Sequence, residues 1–196
     1  SSCDCRISIK TRLGTTDTDE WETLLAIYDK YPLEELIIHP RIQKDFYKYT
    51  PRMECYRTAY ETSRHSLCYN GDLFSTADFQ KLCHDFPLTE KVMLGRGVLQ
   101  NPWLIGMLRS ADPAGGEASA PDKELLHAFC EDLCAGYACV ISGDKNVLFK
   151  LKALWIYLGM SFTNPQKYLK KIKKANRLAE YEEAVDALFR EQELIL

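Results

Sequence analysis

The chain has 196 residues, enough for one medium domain and a small companion, and 46% of them are hydrophobic, the share expected of a globular chain with a real core. Its 25 basic and 28 acidic side chains leave a formal charge of −3, so affinity for nucleic acid must come from a local basic patch rather than the overall field. No apolar run approaches a membrane span and no signal peptide is seen, so a soluble cytoplasmic protein without membrane contact is expected. Eight cysteines are many, yet their spacing offers neither a zinc knuckle nor a redox pair. Cys3 and Cys5 are too close, Cys55, Cys68 and Cys83 are scattered, and Cys130, Cys134 and Cys139 fall on one predicted helix with no C-x-x-C. They are read as buried, reduced, small hydrophobes, and no metal site is expected.

Arg6 to Leu13 reads as a strand with Lys10 and Arg12 on one face. Two cations buried there are costly unless an anion sits between them; the plain alternative is a solvated strand end. Asp17 with Glu20 predicts a capping box, and Trp21, Leu24, Leu25, Ile27 and Tyr28 supply the stripe of a helix that Pro32 ends. Leu36 to Ile38 is a short, wholly apolar strand, as expected where both faces of a parallel sheet are covered. His39, Pro40 and Arg41 emerge from its end. The loop from Gln43 to Tyr49 carries Phe46, Tyr47 and Tyr49, which either stack on bases or cover the mouth of a site. Pro51 and Arg52 open a helix running from Met53 to about Ser63.

Leu67 to Tyr69 is the third strand, followed by Asn70-Gly71-Asp72. Asn-Gly alone would predict a hairpin, but Ser75 with Asp78 caps a helix through Phe79, Leu82 and Phe86, which makes the sequence strand, turn, helix. Val92 to Leu94 is the fourth strand, and it runs into Gly95-Arg96-Gly97. Glycines able to take positive φ, the donor fork of Arg96 and a following helix start make either a phosphate cradle or a plain tight turn with a solvated arginine. The polar clusters recur about every 25–31 residues, the length that a strand, a helix and two loops fill, so a run of βα units delivers them to the carboxyl ends of parallel strands.

After Leu108 the composition changes. Ser110 to Pro121 reads as a linker, and helices follow over Asp122 to about Ile141, Lys145 to about Leu158, Pro165 to about Ala175 with Asn164 as cap, and Ala179 to about Glu191. Lys167, Lys170, Lys171, Lys173, Lys174 and Arg177 form a run without an acid, whereas acids dominate the last helix. Such a run either grips a phosphate backbone or is simply a solvated face, and Lys150 and Lys152 are placed to extend it.

Taken together, Lys-x-Arg on one strand, His-x-Arg on the next, Asn-Gly-Asp on a third and Met-x-Gly-Arg-Gly with Asn-Pro-Trp after it resemble the second half of the tRNA-dihydrouridine synthases, flavin enzymes that reduce a uridine of tRNA. The resemblance covers nearly the whole chain, helical tail included. It implies an α/β fold: a partial (βα)8 TIM barrel, its last four βα units, over residues 1–109, a linker over 110–121 and a small all-α tRNA-binding domain over 122–196. It implies FMN held by Lys10, His39, Asn70, Gly71, Asp72, Gly95, Arg96 and Gly97, with Lys10 at the polar edge of the ring, His39 orienting ring or pyrimidine, and Arg96 and the 70–72 loop on the phosphate and ribityl chain. Arg12 and Arg41 then contact the uridine or its phosphates, and Lys170, Lys171 and Lys174 the tRNA backbone. NADPH is the family's reductant, although no dinucleotide fingerprint occurs here.

No cysteine of this chain sits in the Asn-x-Gly-Cys-Pro setting of the family's proton donor, so no catalytic residue is assigned. A fragment or truncated copy is expected, inactive alone and prone to pair or aggregate through its open sheet edges as a homodimer. Two other classes stay open: a flavin- or phosphate-binding TIM-barrel oxidoreductase of small molecules, with an idle basic tail, and a non-catalytic RNA-binding fragment.

Overall fold

The structure, a computed structural model, describes residues 5–111 and 119–196; Cys3 and residues 112–118 of the expected linker lie outside them. Contacts divide the chain into two compact units, Ser1–Gly95 and Arg96–Leu196.

Four strands build the first unit: β1 (Ser8–Arg12), β2 (Glu35–His39), β3 (Leu67–Tyr69) and β4 (Lys91–Val92). They pair in parallel in chain order, connected through helices α1 (Glu20–Tyr28), α2 (Met53–Thr62) and α3 (Thr76–Asp85). Arg12 lies level with His39, Ile38 with Tyr69 and Tyr69 with Val92, so the residues just past each strand gather along one edge of the sheet. From Leu36 to His39, β2 is wholly buried, as its unbroken apolar run requires, while Ser8 and Lys10 of β1 are exposed. The core joins Leu13, Trp21, Leu25, Leu36, Ile38, Tyr56, Tyr69 and Phe86. Tyr56 meets Tyr69 and Phe86 edge-on at 5.0 and 5.1 Å, and the Trp21 indole N–H donates to the Cys55 carbonyl at 2.8 Å, tying α1 to α2.

Local chemistry departs from expectation at instructive points. The Ser75–Asp78 capping box forms: Asp78 Oδ2 accepts from the Ser75 N–H and Ser75 Oγ from the Asp78 N–H. No box joins Asp17 and Glu20, because the Glu20 carboxylate reaches back to the N–H groups of Thr15 and Thr16 while Asp17 takes that of Asp19. Ile27 is exposed, which narrows the apolar stripe of α1. β4 stops at Val92 instead of Leu94. Beyond it the Met93 N–H still donates to the Tyr69 carbonyl at 2.8 Å, while the Asn70 side-chain amide, rather than a backbone N–H, donates to the Met93 carbonyl at 2.7 Å.

The second unit is helical: α4 (Arg96–Gln100), α5 (Leu104–Ser110), α6 (Lys123–Val140), α7 (Asp144–Leu158), α8 (Gln166–Lys174) and α9 (Leu178–Glu191). Its core includes Leu126, Leu148, Leu151, Trp155, Phe162, Ile172, Leu188 and Phe189. Because α4 packs on α7 and Trp103 against this core, the compact boundary falls at Gly95 and Arg96, ahead of the composition change after Leu108. Asp122 caps α6 through the Leu125 N–H. Asn164 does not cap α8. It sits at φ +42° and Pro165 takes the cap position, a left-handed backbone that asparagine tolerates better than most residues.

Cys68, Cys130 and Cys134 are buried as expected, whereas Cys5 and Cys139 are exposed and Cys55 and Cys83 lie between. Burial pushes the Cys130 thiol up to about 12. Among the described residues, no helix is long and apolar enough to cross a membrane.

Candidate anion-binding site at the strand ends

The edge where the strands end is organised by a buried arginine. Arg41, two residues past β2, has 1% of its surface exposed. Its Nη1 and Nη2 donate to the two carboxylate oxygens of Asp72 at 2.9 and 2.6 Å, and its Nε donates to the Tyr49 carbonyl at 2.6 Å. Nη1 also lies 3.1 Å from His39 Nε2. Guanidinium only donates, so Nε2 is the acceptor and the ring proton resides on Nδ1. Arg41, expected to contact substrate, instead spends its fork inside the protein and fixes the tautomer of its neighbour.

His39 is 5% exposed. Desolvation, then the charges of Arg12, Arg41 and Lys10, pull its pKa down to about 4, with only Asp72 opposing them. Three cations therefore act on this imidazole against one carboxylate, and it is neutral at pH 7. Lys10 stands exposed in the middle of β1, its pKa lowered by partial desolvation and then by Arg12. Arg12 is half-buried, donates Nη1 to the Ile42 and Gln43 carbonyls, and lies 5.7 Å from the centre of the Tyr47 ring.

The aromatic loop completes the edge. A 3-10 turn over Gln43–Asp45 buries Asp45, which accepts from the Ile42 N–H at 3.0 Å and pairs with both terminal nitrogens of Arg52. The Arg52 hydrogen bond, ahead of all other influences, lowers the Asp45 pKa. Above this clamp Phe46 adopts φ +51°, a backbone state costing about 1–3 kcal/mol that persists only where surroundings enforce it. Tyr47 lies over His39 with ring centres 5.9 Å apart, while Phe46, Tyr47 and Tyr49 all keep exposed faces. The loop both covers His39 and presents aromatic surface. The Asp45–Arg52 clamp escaped sequence reading, although opposite charges flanking a tyrosine-rich loop were its available signal.

The remaining expected residues separate into two groups. Asn70 is committed to Met93, Asp72 to Arg41, and Gly71 passes so close to Tyr69 that a Cβ would lie 2.0 Å from the phenol oxygen, which ties that glycine to packing. Gly95 and Gly97 do not take positive φ, because the chain goes directly from the strand end into α4 and Gly97 is already buried within that helix. A Cβ on Gly95 would meet nothing within 4 Å. Arg96 opens the second unit. In that unit Lys170, Lys171, Lys173 and Lys174 are exposed on α8. Lys152, placed by sequence in the same patch, instead donates to the Ala175 carbonyl at the end of α8.

A parallel sheet that gathers a cation excess along the carboxyl edge of its strands defines an α/β protein whose strand ends form a candidate anion-binding site. Over residues 1–193 the chain matches the family model described as dihydrouridine synthase (Dus), and it belongs to that family, whose fold is the TIM barrel. It is similar to the "Probable tRNA-dihydrouridine synthase" of Rickettsia bellii, 27% identical over 119 residues that make up 60% of this chain and 36% of that protein. The "Probable tRNA-dihydrouridine synthase 2" of Bacillus subtilis is 31% identical over 102 residues, 50% of this chain and 31% of that protein. A relative of the same description in Staphylococcus aureus (strain Mu50) is also 31% identical over 102 residues. The matched region spans about a third of the length of these curated relatives.

Proposed function

We propose that this chain supplies the flavin-holding strand ends and the tRNA-gripping helices of a tRNA-dihydrouridine synthase, residues 1–109 being the last four βα units of the barrel and its helices from α6 onward the RNA-binding domain. The observation carrying this reading is the charge balance around His39: three cations against one carboxylate, on a desolvated edge. An anion with a flat polar ring relieves that balance, and FMN has both parts. Gly95 adds to the fit. A Cβ there would point into open space, so the main chain at Gly95 is accessible to a ligand.

When bound, the flavin supplies the hydride that, with a proton, turns uridine into 5,6-dihydrouridine, and NADPH is its reductant. The residues of this chain hold and orient. Lys10 places a positive charge beside the polar edge of the ring, where negative charge accumulates on reduction. His39, its Nε2 occupied by Arg41, offers Nδ1–H as donor to the ring or the uracil. Arg12 faces the uridine and its phosphates. Arg41 is a positioning residue acting through His39 and Asp72, not a substrate contact. The Gly95 amide, at the end of the strand unit, receives the flavin tail beside the Asn70–Asp72 loop. The acid that gives the proton is not assigned to any residue of this chain.

Outside the barrel, the target base must leave its stack to reach the flavin, so the tRNA has to be held from elsewhere. Lys170, Lys171 and Lys174 do this, exposed on α8. Their placement favours the tRNA reading over a small-molecule oxidoreductase, for which they have no use.

Titration of FMN, followed by quenching of its fluorescence, tests the reading. Lys10→Ala and Gly95→Ala should each weaken binding about tenfold or more without loss of helicity. His39→Asn, which keeps a donor near the Nδ1 position, should bind better than His39→Gln. Unaltered FMN affinity in both Lys10→Ala and Gly95→Ala would sink the assignment of this edge to the cofactor.

A further inference from the structure

In the helical unit, three metal-ligating side chains meet on the outer face of α6 and α9. His127 and Glu131 are one turn apart on α6, and Asp186 projects from α9. One ligand atom of each lies within 4.8 Å of the other two. His127 Nε2 and Asp186 Oδ1 are 2.9 Å apart. The imidazole is steadied by Phe189, whose ring centre is 4.6 Å away. We propose that these residues form a site for a divalent first-row transition ion of the zinc class, which clips α6 to α9.

The charge arrangement argues for an ion. Glu131 and Asp186 are both exposed, and among the described residues neither pairs with a lysine or arginine. The two cations bordering the hollow are engaged elsewhere: Lys123 on Glu193 at 2.9 Å, and Arg190 beside Glu191 at 3.6 Å. Two carboxylates thus converge on one imidazole with no cation between them, an arrangement that a divalent ion converts from repulsion to attraction.

Geometry and ligand type select the class of ion. Bonds of about 2.0–2.1 Å in a tetrahedron put ligand atoms about 3.4 Å apart. His127 Nε2 and Asp186 Oδ1, now hydrogen-bonded at 2.9 Å, have to part by about half an ångström and exchange that bond for the ion, with the imidazole proton on Nδ1, while Glu131 swings inward. An imidazole with two carboxylates suits zinc and its neighbours, whereas magnesium and calcium prefer all-oxygen shells. Three protein ligands leave a fourth position for water. Cys130 and Cys134 lie nearby on α6 but are buried in the core, so sulfur is not part of the set. Sequence reading, guided by cysteine spacing, missed the site because Asp186 comes from 59 residues away.

Calorimetry with zinc chloride on the reduced chain should show one site that raises the melting temperature of the helical unit. Cobalt(II) in its place should give visible d–d bands without the intense near-ultraviolet absorption of thiolate ligation, separating this site from the exposed thiols of Cys5 and Cys139. His127→Gln, Asp186→Asn and Glu131→Gln should each weaken zinc about a hundredfold, and Glu131→Gln, which breaks no contact, guards against misfolding as the cause. Zinc affinity unchanged across all three variants, a thiolate-type cobalt spectrum, or no stoichiometric binding would each overturn the proposal.

Discussion

In the strand unit, an arginine 1% exposed and a histidine 5% exposed lie under the edge where the ligand is proposed to bind, and an aspartate 2% exposed anchors the loop beside them. In the helical unit the described residues bury no charged side chain, only the polar Asn101 and Ser161 and the Trp155–Tyr181 hydrogen bond of 2.8 Å, and the lysines of α8 stand in water. Burying a guanidinium costs several kcal/mol, and well-packed hydrophobic residues of the same size often do as well or better for stability. Arg41 is therefore not explained by stability. On the proposed function its value lies in a desolvated, fixed field that acts strongly on a small anion. The α8 lysines form a solvated field, weak per contact and screened by salt, suited to a long polyanion.

The largest expected effect breaks this contrast at its root. Arg41→Met removes the guanidinium that donates to the Asp72 carboxylate and the Tyr49 carbonyl and should destabilise the strand unit by about 3 kcal/mol in urea, the low end for a broken buried pair because Asp72 is partly exposed. Adding Asp72→Asn removes the stranded charge and should restore most of that loss. FMN affinity should stay low in the double variant, since His39 has lost the group that fixes its tautomer. Recovery of both stability and FMN affinity would reduce Arg41 to ordinary packing.

A comparable effect appears with pH. The folded pKa of His39 is about 4 against an ordinary 6.5, so the unfolded chain takes up the proton first. The contribution to stability is fully present above about pH 6.5 and is lost as pH falls toward 4, about 3 kcal/mol in all. His39→Gln, which keeps an acceptor for Arg41, should flatten that part of the stability profile. An identical slope in the variant would place the titration on another group.

How far these features could be read in advance follows from the range of the forces that make them. His39 and Arg41 were legible because an unbroken Leu-Ile-Ile run must be a covered strand, and whatever follows it emerges at the sheet edge. The Ser75–Asp78 box was legible because its bonds span three residues. Asp17 and Glu20 carried the same signature and failed, since Glu20 found better donors four and five residues back, on Thr16 and Thr15. The partnership of Arg41 with Asp72 joins residues 31 apart and depends on how deep the strand end sits, which no local pattern encodes. Likewise, the end of β4 was set by a side chain of β3's loop, not by the apolar run itself.

The smallest effect on stability should come from the lysines. Lys171 and Lys174 lie in the last turn of α8, where positive charge favours the helix end, but alanine returns a similar amount through its higher helix propensity. Replacing Lys170, Lys171 and Lys174 together by alanine should therefore shift stability by no more than about 0.5 kcal/mol. Binding to tRNA should respond quite differently. If each lysine neutralises one phosphate, the plot of log affinity against log salt should become shallower by about one unit per lysine removed, while FMN uptake stays unchanged. A salt slope that does not move assigns the tRNA contact to another surface, and the contrast between a desolvated and a solvated field would then rest on the strand unit alone.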